Sequence, residues 1–454
     1  MNEPFSGERD SFTSKFGVIA AAAGSAIGLG NIWRFPYVTG ENGGGAFLLI
    51  YLLFVMAIGL PVMISEFVIG RSAQKNPYGA FRMLAPGRPW FLIGLMGVAA
   101  AFMILAFYTT VAGWTLEYFY QALTGNLSGK TDSELTQMFN DFQQGSFRPL
   151  LWFLIFMGFT AMIILSGVRK GIEKYTKILM PLLLILLITL CVRSVTLEGS
   201  GAGLRFLFNP DFSKITPKVI LEALGQAFFS LSIGMGTLIT YGSYIRKKEN
   251  LASSAFYVVT ADTLIAIIAG IAIFPALFAL GGSPASGSGL VFIVIPAIFQ
   301  KMPLGDVFAL IFFILLAVAA LTSTISVLEV IVAYLVEELK MTRRNATVAA
   351  TLAVSVLGLL TVLSLGSLGN IKILGRNIFG LLEYLTSNIM LPLGGFFIVL
   401  FIGWFYSRKK TRDELTNDGE LRAGYMPVYM FLVKFAAPIA IAIVFLYSLG
   451  ILKF

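Results

Sequence analysis

Apolar residues recur along the chain in long runs, separated by short polar connections. Such runs do not mark one buried stripe of a soluble helix. About 20 successive apolar residues cross a bilayer as a helix. Eleven runs meet this pattern, at roughly 16–37, 44–70, 90–123, 149–166, 171–194, 217–244, 251–282, 304–338, 343–364, 374–405 and 425–451. Several exceed the crossing length, which predicts tilt, kinks or internal breaks. A β-barrel would show short alternating segments instead. The pattern predicts an all-α polytopic membrane protein with 11 transmembrane helices, in one domain over residues 1–454.

Composition agrees and narrows the chemistry. Hydrophobic residues make up 57% of the chain and charged ones only 13%, unlike a soluble globular domain. The single cysteine, Cys191, excludes an internal disulfide, and the lack of histidine removes His-based metal sites, general bases and proton relays. The net charge of +9 could signal nucleic acid. The basic residues instead gather in alternate loops, such as Arg169, Lys170, Lys174 and Lys177, and Arg408, Lys409, Lys410, Arg412 and Arg422. Arg34 and Lys434 belong to neither set of loops and lie well inside spans. By the positive-inside rule the expected partner is the lipid bilayer of the plasma (inner) membrane, with no nucleic acid. The N-terminus is expected in the cytoplasm and the C-terminus outside. No cleavable signal peptide is visible. The polar stretch 124–148 and the Gly281–Gly289 segment read as outer loops.

Two spans carry an interruption. Residues 27–30 read I-G-L-G inside the first span, and residues 233–236 read I-G-M-G inside the sixth. The sixth lies five crossings after the first, so the two run in opposite directions. Matched breaks in halves of opposite topology point to an inverted-repeat transporter. The repeats are expected over about 10–195 and 215–405, as a 5+5 arrangement with discontinuous helices 1 and 6 and an extra helix at about 425–451. Close helix packing through small residues is the plainer reading of either motif alone. In hydrocarbon, a broken helix must find partners for its backbone groups. Its free N–H groups suit an anion and its free C=O groups a cation.

Polar groups sit beside both breaks: Ser25, Asn31 and Arg34 near the first, Gln226, Ser230 and Ser232 near the second. Span seven holds Asp262 deep inside, span two holds Glu66, and span three holds Tyr108. Span eight holds Thr322, Ser323, Thr324 and Ser326, then Glu329. Intramembrane carboxylates are expensive and are functional candidates by default. Ser and Thr also bond back to their own helix, which is the ordinary reading of an isolated one. This all-oxygen inventory suits a hard cation such as Na⁺, and Asp262, Glu66 or Glu329 could equally carry a proton.

The segments "GSAIGLGNIWRFPY" (24–37), "ENGGGAF" (41–47), "GQAFFSLSIGMG" (225–236) and "ALTSTIS" (320–326) resemble the neurotransmitter:sodium symporter family, in its bacterial amino-acid branch. The resemblance spans nearly the whole chain. It implies a Na⁺-coupled symporter, not an enzyme, with two Na⁺ sites. The first would use Ala26, Asn31, Ser230 and Asp262 with the substrate carboxylate. The second would use Gly24, Ile27, Ala319, Thr322 and Ser323. The amino-acid carboxylate would meet Gly28, Leu29, Gly30 and the Tyr108 hydroxyl. The amino group would face carbonyls near Ala26, Phe229 and Ser232. The side chain would lie among Ile104, Phe229, Gly234, Met235 and Val327. Arg34 with Glu383 resembles an outer gate, and Arg9 with Glu337 an inner one.

Two departures refine this. Monoamine members carry Asp where this chain has Gly28, so an amino acid is the expected substrate. Members usually carry Asn where this chain has Asp262, and its fixed charge could replace chloride, so no chloride requirement is expected. Met235 is unbranched and adaptable, which fits both aliphatic and aromatic amino acids. Gly171 and Pro181 weaken span five and could let its inner end unwind as a hinge. The alternatives are a proton-coupled amino-acid carrier and a non-transporting amino-acid sensor. A channel or a membrane enzyme fits less well: no filter repeat, nucleotide loop or reactive Cys group is visible.

Overall fold

The computed structural model describes residues 11–284 and 290–452. Among them every regular element is helical, and extended pairing is limited to an isolated bridge between Ile373 and Arg376. In chain order the main helices are α1 (Lys15–Ala26), α2 (Gly30–Glu41), α3 (Gly45–Ala73), α4 (Phe91–Leu123), α5 (Phe147–Leu165) and α6 (Val168–Val195). Then come α7 (Pro217–Ser230), α8 (Thr237–Gly242), α9 (Leu251–Ala279), α10 (Gly305–Glu338), α11 (Arg343–Leu363), α12 (Ile378–Phe405) and α13 (Met426–Tyr447). Among the described residues nine helices are long and apolar enough to cross a membrane, and α1 with α2 form a tenth candidate, bent by 50°. The remaining expected crossing falls on α7 and α8, neither of which is long enough alone.

Local sequence explains where helices begin and stop. Thr216, Asn250 and Thr342 cap α7, α9 and α11 by accepting a backbone N–H from the first turn. Pro217 takes the first position of α7, where no N–H is needed. The polar stretch 124–148 is not a bare loop. It holds a helix, Asp132–Gln144, opened by a capping box of Thr131 and Glu134. The Thr131 backbone N–H holds the Glu134 carboxyl below the usual carboxylate range.

The element order recurs. A broken helix opens each half, and the helices that follow match in length: 29 and 29 residues, 33 and 34, 19 and 21, then 28 and 28. α1 packs against α6, α9 and α10, and the long α4 and α10 run along one another. α3 flanks α7 and α8. These contacts place both breaks in the middle of the molecule.

α6 is wound throughout. It opens with a wide π-type turn, Val168–Glu173, and continues as an α-helix through Pro181. A Cβ on Gly171 would lie 2.1 Å from the Ile163 carbonyl oxygen, so close packing already explains this glycine. The inner end that the sequence suggests could unwind is helical in this structure.

Candidate functional site

The first break covers Ile27–Leu29. The Gly28 N–H donates to Asn31 Oδ1 at 3.0 Å, and the Leu29 N–H donates to the Tyr108 hydroxyl at 3.0 Å. On the other side of the break the Ser25 carbonyl accepts from the Ser232 hydroxyl at 3.0 Å and from Ser323 at 3.4 Å. Ser232 belongs to the second break, so the two interruptions bond to each other. Gly28 has a steric reason: a Cβ there would lie 2.2 Å from Ser323 Oγ and 2.7 Å from the Tyr108 oxygen.

The second break runs from Leu231 to Gly236. Ser232, Gly234 and Gly236 all take positive φ, at 52°, 89° and 79°. For serine this is a sparsely populated conformation, of the kind that collects at functional sites. The Gly234 N–H donates to Glu66 Oε1 at 2.7 Å. Glu66 is fully buried, and its other oxygen has no hydrogen-bond partner among the described residues.

A small cavity lies between the breaks. Of the expected substrate residues, Ala26, Gly30, Ile104, Tyr108, Phe229, Ser232, Met235 and Val327 line it, and Leu105, Ser323 and Leu391 complete the wall. Its volume is about 30 Å³. Gly28 and Leu29 reach this region through their backbone, against Ser323 and Tyr108. Gly234 does not line it. A Cβ on Gly234 would lie 2.3 Å from the Leu391 carbonyl oxygen, so this glycine lets α12 approach the break.

Asp262 is fully buried beside the cavity. Asn31 Nδ2 donates to its Oδ1 at 2.7 Å and to its carbonyl at 3.1 Å. Ser230 Oγ donates to Oδ2 at 2.8 Å. The Tyr51 hydroxyl lies 3.3 Å from Ser230 Oγ and 3.5 Å from Asp262 Oδ2. Among the described residues Asp262 is in no ion pair. Three of the four residues expected at the first cation site thus meet here, with Ala26 in the cavity wall. A second group of oxygens forms on the other side of the break. Thr322 Oγ1 donates to the Ala319 carbonyl at 2.9 Å and to the Ile27 carbonyl at 3.3 Å. The Gly24 Cβ position lies 3.4 Å from Thr322 Cβ. The first group offers carboxylate, hydroxyl, amide and carbonyl oxygens and the second hydroxyl and carbonyl oxygens, donor sets that suit a hard cation.

The expected gates are placed differently from one another. Arg34 Nη1 donates to Gln226 Oε1 at 2.7 Å, and its guanidinium lies 4.8 Å from the centre of the Phe229 ring. It forms no ion pair with Glu383 among the described residues. Glu337 accepts from the Asn76 N–H at 2.8 Å and from Asn76 Nδ2 at 2.9 Å. Its expected partner Arg9 lies outside the described residues.

One contributor is not named by the sequence reading, and two that are gain partners here. Tyr51 joins the Asp262 cluster, Glu66 acquires a defined partner in Gly234, and Gln226 bridges Arg34 to the Gly30 carbonyl at 3.0 Å. A tyrosine within a span is the available signal for Tyr51, but partnership with Asp262 depends on how α3 and α9 pack.

The sequence profile of the "Sodium:neurotransmitter symporter family" matches residues 9–142 and 134–453. The "Uncharacterized sodium-dependent transporter YhdH" of Bacillus subtilis is 40% identical over 443 residues, covering 98% of each chain. An "Uncharacterized sodium-dependent transporter" of Haemophilus influenzae is 36% identical, covering 97% of this chain and 98% of its own. Among solved structures, MhsT in complex with L-phenylalanine is 48% identical with a TM-score of 0.90, covering 97% of this chain and all of that one.

Proposed function

Because the chain belongs to the sodium:neurotransmitter symporter family and is a sodium-dependent transporter, we propose that it imports hydrophobic L-amino acids, aliphatic and aromatic, by Na⁺-coupled alternating access. Two Na⁺ and no chloride accompany the substrate in this reading. The observation that carries it is Asp262: a carboxylate with no exposure, ringed by neutral donors and paired with no cation. A lone buried charge is costly, so this site calls for a mobile cation.

Asn31 supports a coupling between ion and substrate. Its Nδ2 faces Asp262 while its Oδ1 holds the Gly28 N–H. A cation beside Asp262 would draw the amide oxygen inward. That turn would release the Gly28 N–H toward the substrate carboxylate, beside the Leu29 N–H and the Tyr108 hydroxyl. Thr322, Ile27 and Ala319 would hold the second ion, with Gly24 and Ser323 beside them.

The rest of the cavity is apolar, with Ile104, Leu105, Met235, Val327 and Leu391 in its wall. The cavity is enclosed by these side chains and lies between the two breaks. L-Phenylalanine in the related MhsT structure supports the substrate class. The matched helix lengths of the two halves support inverted repeats that rock against each other. Arg34 with Glu383 outside and Glu337 inside would gate the path, and Gly171–Pro181 would loosen as the inner side opens.

Uptake of labelled leucine and tryptophan into proteoliposomes tests this reading. Uptake should follow an inward Na⁺ gradient at fixed pH and persist with gluconate in place of chloride. Uptake driven by a proton gradient without Na⁺ would favour the proton-coupled carrier, and binding without flux would favour a sensor.

A further inference from the structure

Lys434 is a cation within a membrane span that the transport site does not use. It lies eight residues beyond Met426, the start of α13, or about 12 Å along the helix. A hydrocarbon core is about 30 Å thick, so this depth is inside it or at its edge. Cations there are expensive and require an anionic or polar partner. Among the described residues Lys434 is in no ion pair.

Its surroundings form a built feature at the outer surface of the bundle. A Cβ on Gly403 of α12 would lie 3.2 Å from Lys434 Cγ, so that glycine makes a notch for the lysine stem. The ammonium sits over an aromatic face: Nζ is 5.3 Å from the centre of the Trp404 ring. The Trp404 indole N–H in turn donates to the Lys434 carbonyl at 3.1 Å. Trp404, Phe431 and Phe435 are 60%, 60% and 45% exposed, an aromatic patch facing lipid. Directly after α12, the short helix Arg408–Thr416 exposes Arg408, Lys409 and Arg412. That helix is held in place from beneath. Buried Arg71 of α3 donates to Glu414 Oε2 at 2.7 Å, to Asn417 Oδ1 at 3.1 Å and to the Glu249 carbonyl at 2.6 Å.

We infer that this face binds the headgroup of an anionic phospholipid, in the leaflet on the side of the 406–425 loop. The phosphate meets Lys434 Nζ, which snorkels along the notch toward the headgroup level. Arg408, Lys409 and Arg412 supply the basic rim, and Trp404, Phe431 and Phe435 receive the acyl chains. A lysine held between two spans beside a juxtamembrane cationic segment has the chemistry for such a headgroup.

The test uses the full chain in detergent, with phosphatidylglycerol and phosphatidylcholine of matched acyl chains added in turn and bound lipid counted by native mass spectrometry. Wild type should retain phosphatidylglycerol in preference. Lys434→Gln should lower that affinity by about fivefold and leave phosphatidylcholine unchanged. Lys434→Arg should keep it. Equal phosphatidylglycerol binding by wild type and Lys434→Gln, or no lipid preference in wild type, would overturn the inference. A photoactivatable phosphatidylglycerol on wild type decides independently of any variant's folding. Adducts within residues 404–435 support the site, and adducts only elsewhere refute it.

Discussion

Asn31 and Asp262 belong to different helices and meet at 2.7 Å, Nδ2 to Oδ1, while the other end of the same amide holds the Gly28 N–H at 3.0 Å. One side chain therefore touches both the buried charge and the backbone freed by the first break. An amide has one donor end and one acceptor end. Turning it exchanges what each neighbour receives.

Asp262→Asn removes the charge from this arrangement and keeps its size. Hydrogen bonds to a charged group are worth about 1.5–3 kcal/mol, so the Na⁺ concentration for half-maximal uptake should rise by about 10- to 100-fold. A Na⁺ titration of leucine uptake reads this. An unchanged Na⁺ dependence would remove Asp262 from the ion site.

Chloride gives a second reading of the same carboxylate. Wild-type uptake should be indifferent to replacing chloride by gluconate. In Asp262→Asn the missing fixed charge should make uptake rise with added chloride. Wild-type transport that needs chloride would contradict the role given to Asp262.

Tyr108→Phe deletes the hydroxyl that accepts the Leu29 N–H. One neutral hydrogen bond contributes about 1 kcal/mol, so substrate affinity should weaken about fivefold. The effect should fall on KM more than on thermal stability, and a matching loss in melting temperature would assign Tyr108 a structural role instead.

Gly28→Ala places a methyl group 2.2 Å from Ser323 Oγ and 2.7 Å from the Tyr108 oxygen. Substrate binding should be lost while helical circular dichroism stays. Adding Ser323→Ala should not restore binding, because the Tyr108 contact remains. Full recovery in that double variant would show that the serine alone defines the constraint.

Glu66 separates an acceptor role from a charge role. Glu66→Leu leaves the buried Gly234 N–H without its acceptor, at about 1–3 kcal/mol. Glu66→Gln keeps an oxygen for it. The leucine variant should melt well below the glutamine one, and equal melting would mean that the bond does not hold the break.

Much of this was legible one residue at a time. Long apolar runs announced membrane helices, because hydrocarbon demands about the same length of apolar helix at every crossing. The Gly-x-Gly pairs at 28–30 and 234–236 announced breaks, because glycine supports helix poorly and tolerates positive φ. Asp262 announced itself as a charge deep in a span. Pairings were less legible. Arg34 carries the sequence mark of an outer gate, yet it bonds Gln226 and covers Phe229. Gly171 weakens its helix by sequence, and the packing adds that it lies in a wound turn against the Ile163 carbonyl.

Most of the spans, the two interruptions and the oxygen-rich chemistry near them can be read residue by residue, because each follows from local composition and hydrogen-bonding need. The partners of the buried polar groups come from the packing of distant helices. Leu29 is answered by Tyr108, 79 residues away, Gly234 by Glu66, 168 away, and Asp262 by Asn31, 231 away. Such partners share no local pattern. They are set by which helices lie side by side, and a buried polar group accepts whichever donor that packing brings within 3 Å or so.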